Sequence, residues 1–184
     1  MGKIKVHEFI TLDGVVETPS WTAPYGFTER MGEAVGALMS SSSALLLGRN
    51  TYEMFASAWP GRTAAEDPGA PFMNDSTKYV VGTAALEREW ENTTALGAYT
   101  VEGIRELKGQ AAGDLYVSGS VTLVRAMLSD KLVDELHLLV YPVVLGSGLR
   151  LWPDSQDGQQ LDLELLSSES FENGVIHLVY GPKA

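Results

Sequence analysis

LLLGRNTYE, Leu45 to Glu53, sets an apolar run directly against a Gly-Arg pair and then a helix-compatible segment. Three consecutive leucines suit a strand covered on both faces, as in parallel sheets, rather than the alternation of a half-exposed strand. The residues after such a strand lie at its carboxyl end, where open α/β sheets bind ligands. Gly48 allows the backbone to approach a ligand closely, and Arg49 supplies a planar cation suited to phosphate. Taken alone, the segment reads equally well as a tight strand-to-helix turn with an exposed arginine.

The flanking sequence continues the alternation. KIKVHEFITL (3–12), ALLLG (44–48), KYVVG (78–82), DLYVSG (114–119) and ELHLLVYPVVLG (135–146) read as strands. TERMGEAVGALMSSS (28–42), NTYEMFASAW (50–59), VEGIRELKGQ (101–110) and SVTLVRAMLSDKLV (120–133) read as helices. In the first of these, Met31, Val35, Leu38 and Met39 share a face. Segments 13–26 and 60–77 are rich in turn residues and read as loops. Near the end, LDLELLSSESF (161–171) and VIHLVYG (175–181) flank Asn173-Gly174, a strong hairpin signal. The expectation is one domain over residues 1–184: a three-layer αβα sandwich with a mostly parallel central sheet and an antiparallel C-terminal hairpin.

Two further strands end like the first. KYVVGTA closes at Gly82-Thr83, and LYVSGSVTL at Ser118-Gly119-Ser120 before a helix. In a parallel sheet all three ends lie on one edge. Gly119 permits close backbone approach, and Ser120 is placed to cap a helix whose first amides and dipole attract phosphate. Neither GxGxxG nor GxxxxGK[ST] occurs. Three such loops with an arginine in the first favour a nucleotide or dinucleotide.

Composition narrows the partners. The chain has 184 residues, a formal net charge of −11 and no cysteine. The charge argues against nucleic acid or an anionic membrane as partner. The lack of cysteine removes disulfides, thiol nucleophiles and cysteine-bound metals. MGKIKVHEFI has no apolar signal-peptide region and no segment approaches membrane-spanning length, so a cytoplasmic protein is expected. His7, His137 and His177 lie in separate strand segments and read as packed or surface residues rather than ligands; no metal site is expected.

LDGVVE near the start, GRNTYE, KYVVG, LYVSGSVTLVRAML and DELHLLVYPVVLGSGLRLW together resemble, in that order, the C-terminal reductase domain of the bifunctional riboflavin-biosynthesis deaminase/reductase, a dihydrofolate reductase-like family. The resemblance covers nearly the whole chain and implies an NADPH-binding reductase fold. By that similarity Gly48, Arg49 and Thr51 hold the adenosine end and pyrophosphate, with Arg49 near the 2′-phosphate. Val81, Gly82 and Thr83 flank the adenine side, and Ser118, Gly119, Ser120 and Val121 wrap the pyrophosphate. Where the family often carries a serine and a basic residue, this chain has Gly82-Thr83, which leaves Arg49 as the one basic side chain in the three loops.

The LDG segment implies Asp13 as a catalytic or positioning residue; Asp13-Gly14 reads equally as a turn. Trp21, Tyr25 and Trp59 are candidates to line a substrate pocket. The implied activity is reduction of 5-amino-6-(5-phosphoribosylamino)uracil, the ribosyl group becoming ribityl; the cysteine-containing zinc motif of the deaminase half is absent from this sequence. True dihydrofolate reductases carry an inward carboxylate on the first helix, whereas Glu29 and Glu33 fall off the apolar face here. A pterin reductase is therefore the weaker enzyme alternative, and a non-catalytic nucleotide-binding module is the alternative from another class. The surplus of apolar residues in 134–152 predicts a homodimer that uses the C-terminal third of the chain.

Overall fold

Leu45, Leu46 and Leu47 are completely buried in the computed structural model, which describes residues 2–152 and 160–183. They form the centre of β2 (Ser42–Gly48), in a sheet with β1 (Ile4–Thr11), β3 (Thr77–Val81), β4 (Thr93–Gly97), β5 (Asp114–Ser118), β6 (Glu135–Tyr141), β7 (Leu163–Ser170) and β8 (Ile176–Pro182). The order is β4-β3-β2-β5-β1-β6-β8-β7. The strands from β4 to β6 run parallel, and β8 joins β6 antiparallel, with β7 antiparallel outside it. The α/β reading with an antiparallel C-terminal hairpin therefore holds, its turn closing through Phe171 N–H to Val175 O at 2.9 Å.

The helices divide between the two faces. α1 (Glu29–Ser41) and α2 (Arg49–Ala58) bury Leu38, Tyr52 and Ala56 against Leu45, Leu47 and Tyr116 on one face, with Met31 and Val35 of α1 against Leu139 and Tyr141. α4 (Val101–Gln110) and α5 (Val121–Ser129) bury Ile104, Leu107, Leu123, Val124, Met127 and Leu128 on the other, against Ile4, Val6, Ile10, Leu46, Leu115 and Val117. The leucine run is continuous because successive side chains feed two different cores.

Several elements depart from the sequence reading. Residues 19–25 form a 3-10 helix, and the 60–77 loop contains α3 (Ala70–Asp75). β4 is an edge strand whose TTALG has neither alternation nor a buried face. The 135–146 segment stops being a strand at Tyr141, because Pro142 has no N–H to give a ladder. No helix among the described residues is long and apolar enough to cross a membrane.

β1 carries three of the sheet's buried polar side chains, His7, Glu8 and Thr11. His7 accepts or donates through Nδ1 to the Tyr116 hydroxyl at 2.9 Å, and its strand neighbour His137 meets His177 at 3.1 Å. Burial holds His7 down at about 3 and His137 at about 4, so all are neutral at pH 7. Glu8 is buried too, and desolvation pushes its carboxyl up to about 8. The signs oppose. The unfolded histidines take up protons near pH 6.5, so their contribution is complete above that pH and is lost as pH falls toward 4. Unfolded Glu8 ionises near 4.5, so its fold contribution is lost as pH rises from there through 8. Stability is therefore expected to peak near pH 6.5 and to fall by about 2 kcal/mol at pH 8, one proton's linkage over that interval. Thermal unfolding against pH checks this; Glu8→Gln removes the alkaline fall and leaves the acid fall.

Candidate active site

β5 lies between β2 and β1, and the chain leaves these strands in opposite directions. β1 and β2 lead to helices on one face, β5 to α5 on the other. Such a switch opens a crevice at the carboxyl ends of the strands. The three glycine-marked ends converge there by direct contact. Gly48 N–H donates to Ser120 Oγ at 2.7 Å. A Cβ added at Gly119 would stand 3.3 Å from Thr51 Cγ2, and one at Gly82 only 2.9 Å from Arg49 Cβ. Glycine is favoured at Gly119 on two counts, since its φ is +67° and an added Cβ would sit tightly against the Thr51 side chain.

Ser120 does not cap α5 as its sequence position suggests. It stands in the left-handed region at φ 68°, and its hydroxyl is spent on Gly48. α2 likewise starts from Gly48 with no side-chain cap. By contrast α1 is capped by Thr28 and α4 by Thr100. Two helix N-termini thus meet at the crevice without side-chain caps, an arrangement suited to an extended diphosphate. A left-handed serine costs of order 1–3 kcal/mol, which the surrounding contacts must offset.

Arg49 is engaged rather than free. Its Nε donates to Ala85 O at 3.0 Å and its Nη2 to Glu87 Oε1 at 2.6 Å, with Glu53 Oε1 at 3.9 Å. Among the described residues, three buried side-chain atoms have no partner: His7 Nε2, Glu8 Oε1 and Glu53 Oε2. Glu53 is one turn from Arg49, and His7 and Glu8 stand where β1 passes the end of β5.

Asp13 sits at the rim as a clasp. It accepts from Thr11 Oγ1 at 2.7 Å, from Gly146 N–H at 2.8 Å and from Leu145 N–H at 3.2 Å, with Arg150 at 3.7 Å. The Thr11 hydroxyl first, then these amides, hold its carboxyl down at about 2. At neutral pH it is an ionised acceptor with no proton to give. Trp21 and Tyr25 come together, both edge-on to Tyr141 with centroids 5.4 and 5.5 Å away. Phe9 joins the same ring at 5.8 Å. Trp59 does not reach this group. It lies at the far end of α2, under Arg62 at 5.0 Å, roughly 15 Å of helix from Gly48. Glu29 and Glu33 are both exposed. His7, Glu8 and Glu53 were not singled out for the site in the sequence, where polar residues inside strand or helix patterns give no sign of what they face.

Residues 2–177 match the family described as the RibD C-terminal domain. The chain belongs to that family. A relative, the uncharacterised protein YyaP of Bacillus subtilis (strain 168), is 25% identical over 184 residues, spanning 93% of this chain and 90% of its own. Among solved structures, a putative riboflavin biosynthesis protein from Shewanella sp. PV-4 superposes with a TM-score of 0.78 at 22% identity over the whole of both chains. Dihydrofolate reductase from Enterococcus faecalis, complexed with NADP(H) and RAB-propyl, superposes with a TM-score of 0.63 at 14% identity, covering all of this chain and 98% of that one. These likenesses establish the dihydrofolate reductase-like fold.

Asp13→Asn keeps the shape of the clasp and removes its charge. The expected outcome is a lower melting temperature, with faster amide exchange at Leu145 and Gly146 than at β1, measured by hydrogen–deuterium exchange.

Proposed function

We propose that this member of the RibD C-terminal domain family is an NADPH-dependent reductase of a small polar heterocycle, of the type of 5-amino-6-(5-phosphoribosylamino)uracil. The observation that carries the reading is the pair of uncapped helix N-termini meeting at a crevice whose glycine approaches a side chain would fill. NADPH, when bound, supplies a hydride. The chain's own residues bind and orient. The first amides of α5 with Ser118, Gly119, Ser120 and Val121 hold the pyrophosphate, and Gly48 and Thr51 support it from α2. Arg49 turns from Glu87 to the 2′-phosphate, and Val81, Gly82 and Thr83 border the adenine. Trp21 and Tyr25 wall the substrate side, and Asp13 fixes the segment that closes over it. The exposure of Glu29 and Glu33 weighs against a pterin reductase, since neither is placed to meet a pterin.

Titration by fluorescence tests the cofactor reading. Arg49→Ala is expected to weaken NADPH by about 1–3 kcal/mol, the scale of a charge-assisted contact, and to leave NADH nearly unchanged. Gly119→Val is expected to weaken both, with unfolding of the free variant as the control. Equal NADPH affinity in wild type and Arg49→Ala excludes Arg49 from the 2′-phosphate. NADPH oxidation with the named substrate separates a reductase from a module that binds without turnover.

The unsatisfied apolar surface supports a homodimer. Leu165 and Leu166 of edge strand β7 are 51% and 52% exposed, and Trp152 is 41% exposed. Val144, Leu145, Leu149 and Ile176 are exposed in the same third of the chain. Light scattering at micromolar concentration is expected to give close to twice the 19.9 kDa chain mass; a monomer overturns the assignment.

A further inference from the structure

Glu8 has no role in the reading above, yet it stands buried where β1 passes the end of β5. It is 3% exposed and makes no hydrogen bond among the described residues, and its Oε1 is sealed without a partner. Alternation along β1 places it between Val6 and Ile10, on the face covered by α5 and by Val16 and Leu151. β1 pairs with β5 only as far as His7 opposite Ser118, but with β6 as far as Thr11 opposite Tyr141. Glu8 is thus the first residue of β1 past the end of β5, where the two chains part. A buried polar atom left unmatched in so placed a position implies a partner that arrives from outside.

The order of the strands says which part of a dinucleotide arrives there. Along the carboxyl edge stand Gly82 on β3, Gly48 and Arg49 on β2, Gly119 on β5 and Glu8 on β1. Three strand spacings make about 14 Å. A dinucleotide with its 2′-phosphate at Arg49 and its diphosphate at α5 extends its nicotinamide over β1. That ring bears a primary carboxamide, with an N–H donor and a C=O acceptor side by side. A neutral carboxyl group presents the complementary pair, an O–H donor and a C=O acceptor; a carboxylate presents acceptors only.

We propose that Glu8 is the recognition group for the carboxamide of the dihydronicotinamide ring, donating its O–H to the carboxamide oxygen and accepting a carboxamide N–H. This rests on the reading that a nicotinamide dinucleotide binds the crevice. Desolvation keeps the carboxyl neutral up to about pH 8, the form the pairing needs. Among the described residues no neighbouring charge competes for it. His7 and His137 lie on the opposite face, and Tyr116, which feels the Glu8 charge, has its own hydroxyl on His7. Of the elements covering Glu8, Arg125 on α5 donates to the carbonyls of Arg150 and Leu151. Asp13 is paired as described, Glu17 accepts from Leu149 N–H, and Arg150 Nε donates to Asp13 O. Glu135 on β6 is held by Lys3 and His137. Lys78, also drawn down to about 8 by burial, is at the amino end of β3, away from the crevice.

The test is calorimetric titration of the full chain between pH 6.5 and 9.5 with NADPH, with 2′-phospho-ADP-ribose, which lacks the nicotinamide, and with the acetylpyridine analogue of NADPH, which lacks the N–H donor. Wild-type affinity for NADPH is expected to fall toward tenfold per unit above about pH 8 while that for 2′-phospho-ADP-ribose does not, which also removes any contribution of Lys78. The acetylpyridine analogue is expected to bind at least about fivefold more weakly than NADPH at pH 7. Glu8→Gln, whose amide offers the same donor and acceptor at every pH, is expected to keep NADPH affinity and to lose its pH dependence. Glu8→Leu is expected to lose about tenfold or more for NADPH and nothing for 2′-phospho-ADP-ribose. Identical pH profiles for NADPH and 2′-phospho-ADP-ribose in wild type overturn the proposal whether or not Glu8→Leu folds. Failure of folded wild type to bind 2′-phospho-ADP-ribose overturns the dinucleotide reading, and this inference with it.

Discussion

The position of β5 governs this molecule. It is paired to β2 on one side and β1 on the other, and it alone of the three sends its chain to the opposite face. The sheet cannot close over its own edge there, because α5 begins on one side while α1 and α2 are held on the other. The hydrogen bond from Gly48 N–H to Ser120 Oγ spans that gap and ties the two uncapped helix starts together. Had Ser120 capped α5 in the ordinary way, one of the free amides would be satisfied and the bridge to β2 lost. The left-handed backbone at Ser120 is the local cost of directing its hydroxyl across the crevice instead of down its own helix.

The crevice also explains where unmet polarity collects. Folded chains leave few buried polar atoms unpaired, since each costs on the order of 1–3 kcal/mol. Among the described residues the three without partners are His7 Nε2, Glu8 Oε1 and Glu53 Oε2, on two elements whose ends meet the same edge. Adjacent positions on β1 aim His7 and Glu8 to opposite faces, so the strand offers one polar group to each side of the opening. Asp13, at the same rim, is the reverse case: it accepts from several donors and binds the end of β1 to the 144–150 bend.

Much of this was legible in the residues. The leucine run, the Asn-Gly turn and the three glycine-marked strand ends gave the layers, the hairpin and the edge where the loops would gather, because each has a local physical cause. β4 and α3 were not legible, since TTALG is an exposed edge and APFMND a single short helix in a turn-rich loop. Trp21 and Tyr25 meet as a pair because both pack on Tyr141, a contact across more than 110 residues that no window of sequence contains. Trp59 stands apart from that pair because α2 carries it roughly 15 Å from Gly48, a separation that the apolar pattern of the helix does not reveal. The position of Ser120 suggests a cap, and only the approach of β2 shows that its hydroxyl is taken. Burial of Glu8 is invisible in KIKVHEFITL, where the alternation places it among apolar residues without saying that nothing pairs with it.

The last tension is electrostatic. The proposed function asks a chain of net charge −11 to bind a polyanion with a single arginine among the three glycine-marked loops. Long-range attraction cannot supply the binding, since salt screens exposed charges beyond about 8–10 Å. What remains is short-range: fixed amide dipoles at two helix starts, which act at contact distance and are not cancelled by distant carboxylates. Arg49 fits the same logic. Its partner Glu87 is 77% exposed, so their ion pair is worth only about 0–1 kcal/mol. A phosphate bound in a recess offers about 1.5–3 kcal/mol through charge-assisted hydrogen bonds. Under the proposed reading Glu87 holds the guanidinium close by and yields it at little cost, while Glu53, farther away at 3.9 Å but less exposed, keeps a negative charge beside it.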